Sequence, residues 1–352
     1  MNKNIVISNL KKIILVTGYS RSGTTLMSSI HGSSKDVFAL KETHYFENLV
    51  DGSSILSVLS YETKKFLAVT FFNRAYNGIL LDHDISVMDK HKIHELVQIL
   101  EKNYPKDLTG AELYLCMLDV LAKYNNVSTI CEQTGKNLFF FGYYCSFNVE
   151  IKISHMIRNP LNVIKSEALK YKLRALGLKK IPFFETLRVY LSYNPILLCL
   201  VIKGFDRHFE RILNEFGEGV IKKIHFESLI ADSDFLTSLG KFTGIYDYDL
   251  NEVEFWGSSL VSEGKIRKKG IVKSDTNGSE KFSFRVYAGR FWVWLILKEY
   301  SLKNGYTVNA EWRWFLPGFL WLLFTPIQIF IIFGLNLKRA PNFIKALGRR
   351  LF

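Results

Sequence analysis

Gly18-Tyr19-Ser20-Arg21-Ser22-Gly23-Thr24-Thr25 combines two glycines at a five-residue step with serine and threonine hydroxyls and one arginine. A loop of this kind between a strand and a helix aims backbone N–H groups and the positive end of the helix dipole at an anion, and its glycines let the backbone close around it. Nucleoside-triphosphate enzymes place a lysine just before the last hydroxyl of such a loop. Here Thr24 stands at that place, and the cation is Arg21, inside the loop. An anion site follows, although a plain strand-to-helix turn would use similar residues. A second cluster, Lys41-Glu42-Thr43-His44-Tyr45-Phe46-Glu47, follows the next strand-like segment. The Glu42 carboxylate could take the proton of a weakly nucleophilic hydroxyl, or the cluster could be only a charged strand end. A third, Arg158-Asn159-Pro160 with Ser166 downstream, offers a guanidinium and a hydroxyl suited to a phosphate monoester. The alternative is an ordinary helix start with a surface arginine.

These clusters need elements that hold them. Ile13 to Thr17 is short, β-branched and without a polar face, as in a central parallel strand, and a helix should start at Thr24. Val37 to Leu40, Ser128 to Cys131, Ile151 to Met156 and Val220 to Phe226 are further strand candidates, each followed by polar residues and a helical pattern. That alternation predicts an α/β fold, a phosphate-loop type of parallel sheet flanked by helices. Asn159 can cap a helix that Pro160 begins, with Ser166 two turns on. Asp51 to Val127 and Pro182 to Phe216 read as helical insertions capping the site, and Gly257 to Ser283 as a long irregular loop.

A chain of 352 residues with 48% hydrophobic composition holds one large α/β domain plus extra helices, but hardly two enzymatic domains. The net charge of +13 suits an anionic partner: a nucleotide, a polyanionic glycan, nucleic acid or an acidic membrane surface. Zinc-finger, helix-turn-helix and RNA-platform signatures are lacking, which argues against nucleic acid. Cys116, Cys131, Cys145 and Cys199 have no paired spacing, as expected of reduced thiols in a reducing compartment. The apolar run after Lys12 ends in the glycine loop, not in a cleavage site, so no signal peptide is expected.

In order and sequence the clusters resemble the sulfotransferases that use 3′-phosphoadenosine 5′-phosphosulfate, most closely their carbohydrate and bacterial branches, from roughly Ile13 to Gly305. The loop is similar to that family's PRSGTT and PKSGTT loops, and the second cluster to its KE-x-HFF-D run. The resemblance implies that Gly18, Tyr19, Ser20, Arg21, Ser22, Gly23, Thr24 and Thr25 hold the 5′-phosphosulfate. Arg21 would stabilise the leaving phosphate electrostatically, since arginine is a poor general acid. It makes Glu42 the catalytic base, with His44 and Glu47 contacting acceptor or orienting the base. Lys41 would hold Glu42 ionised or touch the sulfuryl oxygens. Arg158 and Ser166 match the Arg and Ser that contact the 3′-phosphate, a site a kinase does not need. Arg267 and Lys269, in Arg267-Lys268-Lys269-Gly270, are similar to an R-K-G run that grips the same phosphate, but the lysine is doubled and the usual downstream tryptophan is absent. Glu132-Gln133-Thr134 resembles an E-K-T segment with Gln for Lys, which puts a substrate contact there in doubt. His225 to Leu229 resembles a Y-E-D-L segment that is chiefly structural, and His155 reads as a core histidine.

Trp314 to Leu337 carries no charge over 24 residues, about 36 Å of helix at ~1.5 Å per residue. Trp312, Trp314 and Trp321, with Lys338, Arg339, Lys345, Arg349 and Arg350 beyond, suit an interface with anionic lipid. Pro317 and Pro326 interrupt the run. An unexported domain and a basic tail on the same side favour a kinked hairpin or in-plane helix on the cytoplasmic face over a single span. A helix buried in the domain or a dimer interface is the further alternative. The chain thus divides into a sulfotransferase domain, 1–310, and a hydrophobic, membrane-associating segment, 311–352.

The expected activity is transfer of a sulfuryl group from 3′-phosphoadenosine 5′-phosphosulfate to a hydroxyl of a carbohydrate or glycolipid, releasing 3′-phosphoadenosine 5′-phosphate. No metal is expected, since no acidic strand-end partner of Thr25 demands magnesium. The rivals are a magnesium-dependent phosphotransferase on the same loop and a non-catalytic, membrane-bound nucleotide-binding scaffold. The acceptor and the oligomeric state are left open by the sequence.

Overall fold

The computed structural model describes residues 5–78, 87–169, 183–231, 234–253, 261–262, 265–266 and 283–335. Strand β1, Lys12–Gly18, is buried from Ile13 onward, as a strand covered on both faces must be. It pairs in parallel with β3, Thr129–Glu132, on one side and β4, Glu150–Ile157, on the other. β2, Val37–Ala39, and β5, Ile221–His225, complete a five-stranded parallel sheet in the order β2-β3-β1-β4-β5. All five strands expected from the sequence are present. β1 is where the strand order reverses, so the loop leaving it opens onto the crevice in which open α/β sheets bind ligands.

Alternation along β1 builds two cores. Ile13 and Leu15 face one cluster and Ile14 and Val16 the other, as the two-residue period of a strand requires. Helix α1, Thr24–His31, covers the second face with Met27 and Ile30. Between β2 and β3 run α2, Tyr61–Asn77, α3, Val87–Asn103, and α4, Gly110–Tyr124. They were expected to cap the site, but α4 is buried from Gly110 to Ala122 and is a core helix. Its capping box, Thr109 with Glu112, fixes where it starts. Its buried Asp119 accepts the backbone N–H of Asn9 at 2.8 Å and of Leu10 at 2.6 Å, which steers the chain into β1. α2 does reach the site, because Arg74 donates to Thr43 O at 3.2 Å.

The short α5, Phe141–Tyr144, precedes β4, and α6, Pro160–Ala168, follows it, capped by Asn159 with Pro160 in its first turn. α7, Phe183–Leu191, and α8, Pro195–Phe216, lead to β5; α9, Ser228–Ala231, and α10, Phe235–Thr243, follow it. β6, Val261–Ser262, and β7, Lys265–Ile266, form a two-residue antiparallel pair inside the stretch expected to be an irregular loop. Arg267 and Lys269 lie outside the described residues. α11, Phe284–Lys303, packs on α6 and α8.

The apolar segment forms one helix, α12, Phe315–Leu335, continuous through both prolines. Pro317 falls in the first turn, where its missing N–H has no helical acceptor to lose; Pro326 costs one bond and is accommodated. A hairpin therefore has no turn among the described residues. Buried Trp314 and Trp321 share a cluster with Ala168, Tyr193, Val286 and Tyr287, and the helix is seated on α11 and α7.

Candidate active site

The glycine loop is shaped by its own side chains. Gly18 has φ 147 and Gly23 φ 102, and a Cβ on Gly23 would lie 2.3 Å from the Phe226 ring. Arg21 adopts φ 67, a left-handed conformation uncommon outside glycine. Ser22 Oγ donates to Tyr19 O at 2.7 Å, and Ser20 donates to the Glu167 carboxylate. The buried Tyr19 hydroxyl donates to Arg158 O at 2.7 Å and accepts from Arg158 N at 2.9 Å, and burial pushes its pKa up to about 12. Three side chains expected in the anion cradle are thus turned to holding the loop's form or its neighbours. Backbone N–H groups, Thr24, Thr25 and Arg21 remain for the anion.

Arg21, Ser166 and Arg158 are brought together from three elements. Arg21 Nε donates to Ser166 Oγ at 2.8 Å, and Arg158 Nη1 donates to Arg21 O at 3.1 Å. The Arg158 guanidinium lies over the Phe226 ring, 4.2 Å from its centre, and its Nε is buried with no hydrogen-bond partner. A buried donor without an acceptor is uncommon, and in this position it fits an anionic ligand. Glu227 accepts from Asn159 N at 3.0 Å and from the Tyr306 hydroxyl at 2.8 Å. That pins the turn presenting Arg158, in keeping with the structural role expected for the segment after β5.

On the other side of the loop four charges alternate in sign. Lys136 pairs with Glu47, Glu47 Oε2 meets His44 Nδ1 at 2.7 Å, and His44 Nε2 lies 3.5 Å from Glu42 Oε2. Burial alone would lower the His44 pKa, but hydrogen bonds to Glu42 and Glu47, and their charges, raise it to about 9. Burial would raise that of Glu47; the His44 hydrogen bond and the Lys136 charge hold it down at about 2. As an imidazolium His44 cannot accept a proton, whereas the Glu42 carboxylate beside it is half-exposed. Lys41 ties this strand end to α2 through its backbone N–H, 3.0 Å from Ala75 O.

Gln133 joins the two halves: its Nε2 donates to Thr25 Oγ1 at 3.0 Å and to Glu42 Oε1 at 3.5 Å. Its neighbour Glu132 faces the opposite way, as strand alternation dictates. It accepts from Thr43 at 2.9 Å and Thr134 at 2.6 Å, and burial raises its pKa. Lys136 and Glu167 were not singled out from the sequence. Lys136 stands outside any motif, three residues past Gln133, and its only signal was a lysine near a run already short of one. Glu167 adjoins Ser166, and nothing in its type foretold a bond to Ser20.

No protein-family model matches the chain, and no curated protein matches it. Among solved structures it is similar to a sulfotransferase domain from the Synechococcus PCC 7002 olefin synthase, with TM-score 0.41 and 15% identity over 70% of this chain and 79% of that one. It is also similar to a sulfotransferase domain from the curacin biosynthetic pathway, with TM-score 0.40 and 16% identity over 73% and 81%. TM-scores this low leave the residues of the site to carry the functional conclusion.

Proposed function

We propose that the chain is a sulfotransferase that moves a sulfuryl group from 3′-phosphoadenosine 5′-phosphosulfate to a hydroxyl of a carbohydrate or glycolipid acceptor. The observation that carries this is the meeting of Arg21, Ser166 and Arg158, with Arg158 Nε buried and unpartnered. Two cations and a hydroxyl beside a phosphate loop suit a donor with a second, separate phosphate. A nucleoside triphosphate would not need them. The donor supplies an electrophilic sulfuryl group on a phosphate that leaves readily.

The residues then divide the work. Loop N–H groups with Thr24 and Thr25 would hold the 5′ end, and Arg158 and Ser166 the 3′-phosphate. Arg21, permanently cationic, sits between them and offsets negative charge at the leaving oxygen. Glu42 takes the proton of the acceptor hydroxyl, oriented by the His44 cation, which Glu47 and Lys136 hold in turn. A magnesium-dependent phosphotransferase would require an acid beside the Thr25 hydroxyl. That hydroxyl instead meets the Gln133 amide, and Glu132 points to Thr43 and Thr134, which supports metal-independent transfer over the magnesium-dependent alternative. The four unpaired cysteines support a cytoplasmic location.

The test is transfer of labelled sulfuryl from the donor to glycan or glycolipid acceptors with a metal chelator present. Wild type should transfer label, and Glu42→Gln should lose ~100-fold or more in turnover with donor affinity nearly unchanged. Equal turnover in Glu42→Gln, or transfer that requires magnesium, would overturn the assignment.

A further inference from the structure

Helix α12 carries two opposed faces, and among the described residues one of them is occupied. Gly318 lies so close to α11 that a Cβ there would be 2.2 Å from Phe291, and Trp321 and Gln328 on the same side are buried. On the other side Leu316, Phe319, Leu323, Ile327 and Phe330, at helical spacing, are each more than half exposed. The apolar stretch Trp312–Ile331 is long enough to cross a membrane, yet only 28% of it is buried in the protein. A soluble protein seldom leaves so large an apolar patch uncovered. We propose that this face, together with the exposed Phe184 and Leu187 of the adjoining α7, docks in the plane of an anionic lipid bilayer.

Two observations select that occupant and that orientation. No acidic residue follows Glu311, whereas Arg313, Lys338, Arg339, Lys345, Arg349 and Arg350 do. Anionic headgroups complement that charge; a second copy of the chain would set cations against cations. The far part of the helix is also tied to the domain. Gln328 accepts from Asn194 Nδ2 at 3.0 Å and donates to Leu191 O at 2.8 Å and to Tyr193 O. From Phe315 to Gln328, about 20 Å at ~1.5 Å per residue, the helix therefore follows the domain surface. Crossing the bilayer would carry this polar junction, and Arg290 of α11, whose guanidinium lies 5.8 Å from the centre of the Trp314 ring, into hydrocarbon, at a high cost. Lying flat, the exposed stripe reaches the acyl boundary, roughly 5–10 Å deep, while the domain stays in water. A groove of about 600 Å³ opens beside it, lined by Phe284, Leu320, Trp321 and Phe324 with Arg285 among them. α6, which bears Ser166, packs on α11, which packs on α12. This puts the site two helix layers, ~20 Å, from the lipid.

The proposal stands apart from the sulfuryl-transfer conclusion, because vesicle binding is read without donor or turnover. The full chain should float with vesicles of phosphatidylcholine and phosphatidylglycerol, less with phosphatidylcholine alone, and less at high salt. The Leu323→Asp/Ile327→Asp variant, altered only at exposed positions, should keep its melting temperature and bind at least roughly tenfold more weakly. Orientation is read separately in a Cys145→Ser background, with Leu316→Cys or Phe330→Cys carrying an environment-sensitive fluorophore quenched by spin-labelled lipids. Equal, shallow depths are expected. Depths differing by about 20 Å would mean a span and overturn the in-plane orientation. Absence of vesicle binding, or a dimer that the double variant dissolves without any lipid effect, would overturn the lipid surface altogether.

Discussion

Glu42 and His44 sit 3.5 Å apart, with Glu47 and Lys136 behind them, so the proposed base is positioned by a cation that itself depends on pH. His44 has a folded-state pKa of about 9 against 6.5 for the free group. Its stabilising contribution is therefore complete below pH 6.5 and lost as pH rises through 9. The shift corresponds to about 3 kcal/mol. Denaturant unfolding at pH 6 and at pH 10 should show wild type losing stability over that interval, on this order, and His44→Gln losing distinctly less. An equal loss in both would contradict a cationic His44. Glu167 acts in the opposite sense. Its carboxylate holds Ser20 of the glycine loop, and like charge there would oppose the proposed anionic donor by about 1 kcal/mol in a solvated setting. Glu167→Gln should bind 3′-phosphoadenosine 5′-phosphate roughly fivefold more tightly; weaker binding would mean that the carboxylate's hold on Ser20 matters more than its charge.

The glycine loop depends on an element outside it. Gly135, at the start of the turn after β3, lies so close to β1 that an added Cβ would be 2.4 Å from Gly18 O. Backbone cannot yield as a side-chain tip can, so Gly135→Ala should cost roughly 1–3 kcal/mol in stability and weaken nucleotide binding at least roughly tenfold through loop displacement. Unchanged melting and affinity would show that the two segments adjust freely. Strands, the phosphate-loop helix and the Asn159-capped helix were legible because each is written in local pattern: β-branched runs, glycines at a step, a cap followed by proline. The Gly135 contact, the Gln133 bridge and the Lys136 pair were not, because they join segments far apart in the chain, and strand alternation alone did not say which of Glu132 and Gln133 faces Thr25. The buried course of α4 was likewise hidden, since an amphipathic pattern does not distinguish a cap from a core helix when both faces find partners.

Across the whole molecule one end of the sheet presents the groups proposed for the donor on one side of β1 and those proposed for the acceptor on the other. Arg158, Ser166 and Arg21 gather beside β4, and Glu42, His44 and Glu47 beyond β3, with Gln133 between. α6 and α11 link the Arg158 side to the apolar surface of α12, so the proposed donor, acceptor and lipid contacts fall on separate faces of one sheet-and-helix frame. The central claim is that the frame holds a nucleotide with a 3′-phosphate, and calorimetry with 3′-phosphoadenosine 5′-phosphate and with ATP, each with and without magnesium, tests it most directly. The account predicts metal-independent binding of 3′-phosphoadenosine 5′-phosphate that Arg158→Ala weakens at least roughly tenfold, a loss of 1.4 kcal/mol or more. Magnesium-dependent binding of ATP with no response to the 3′-phosphorylated nucleotide would contradict it.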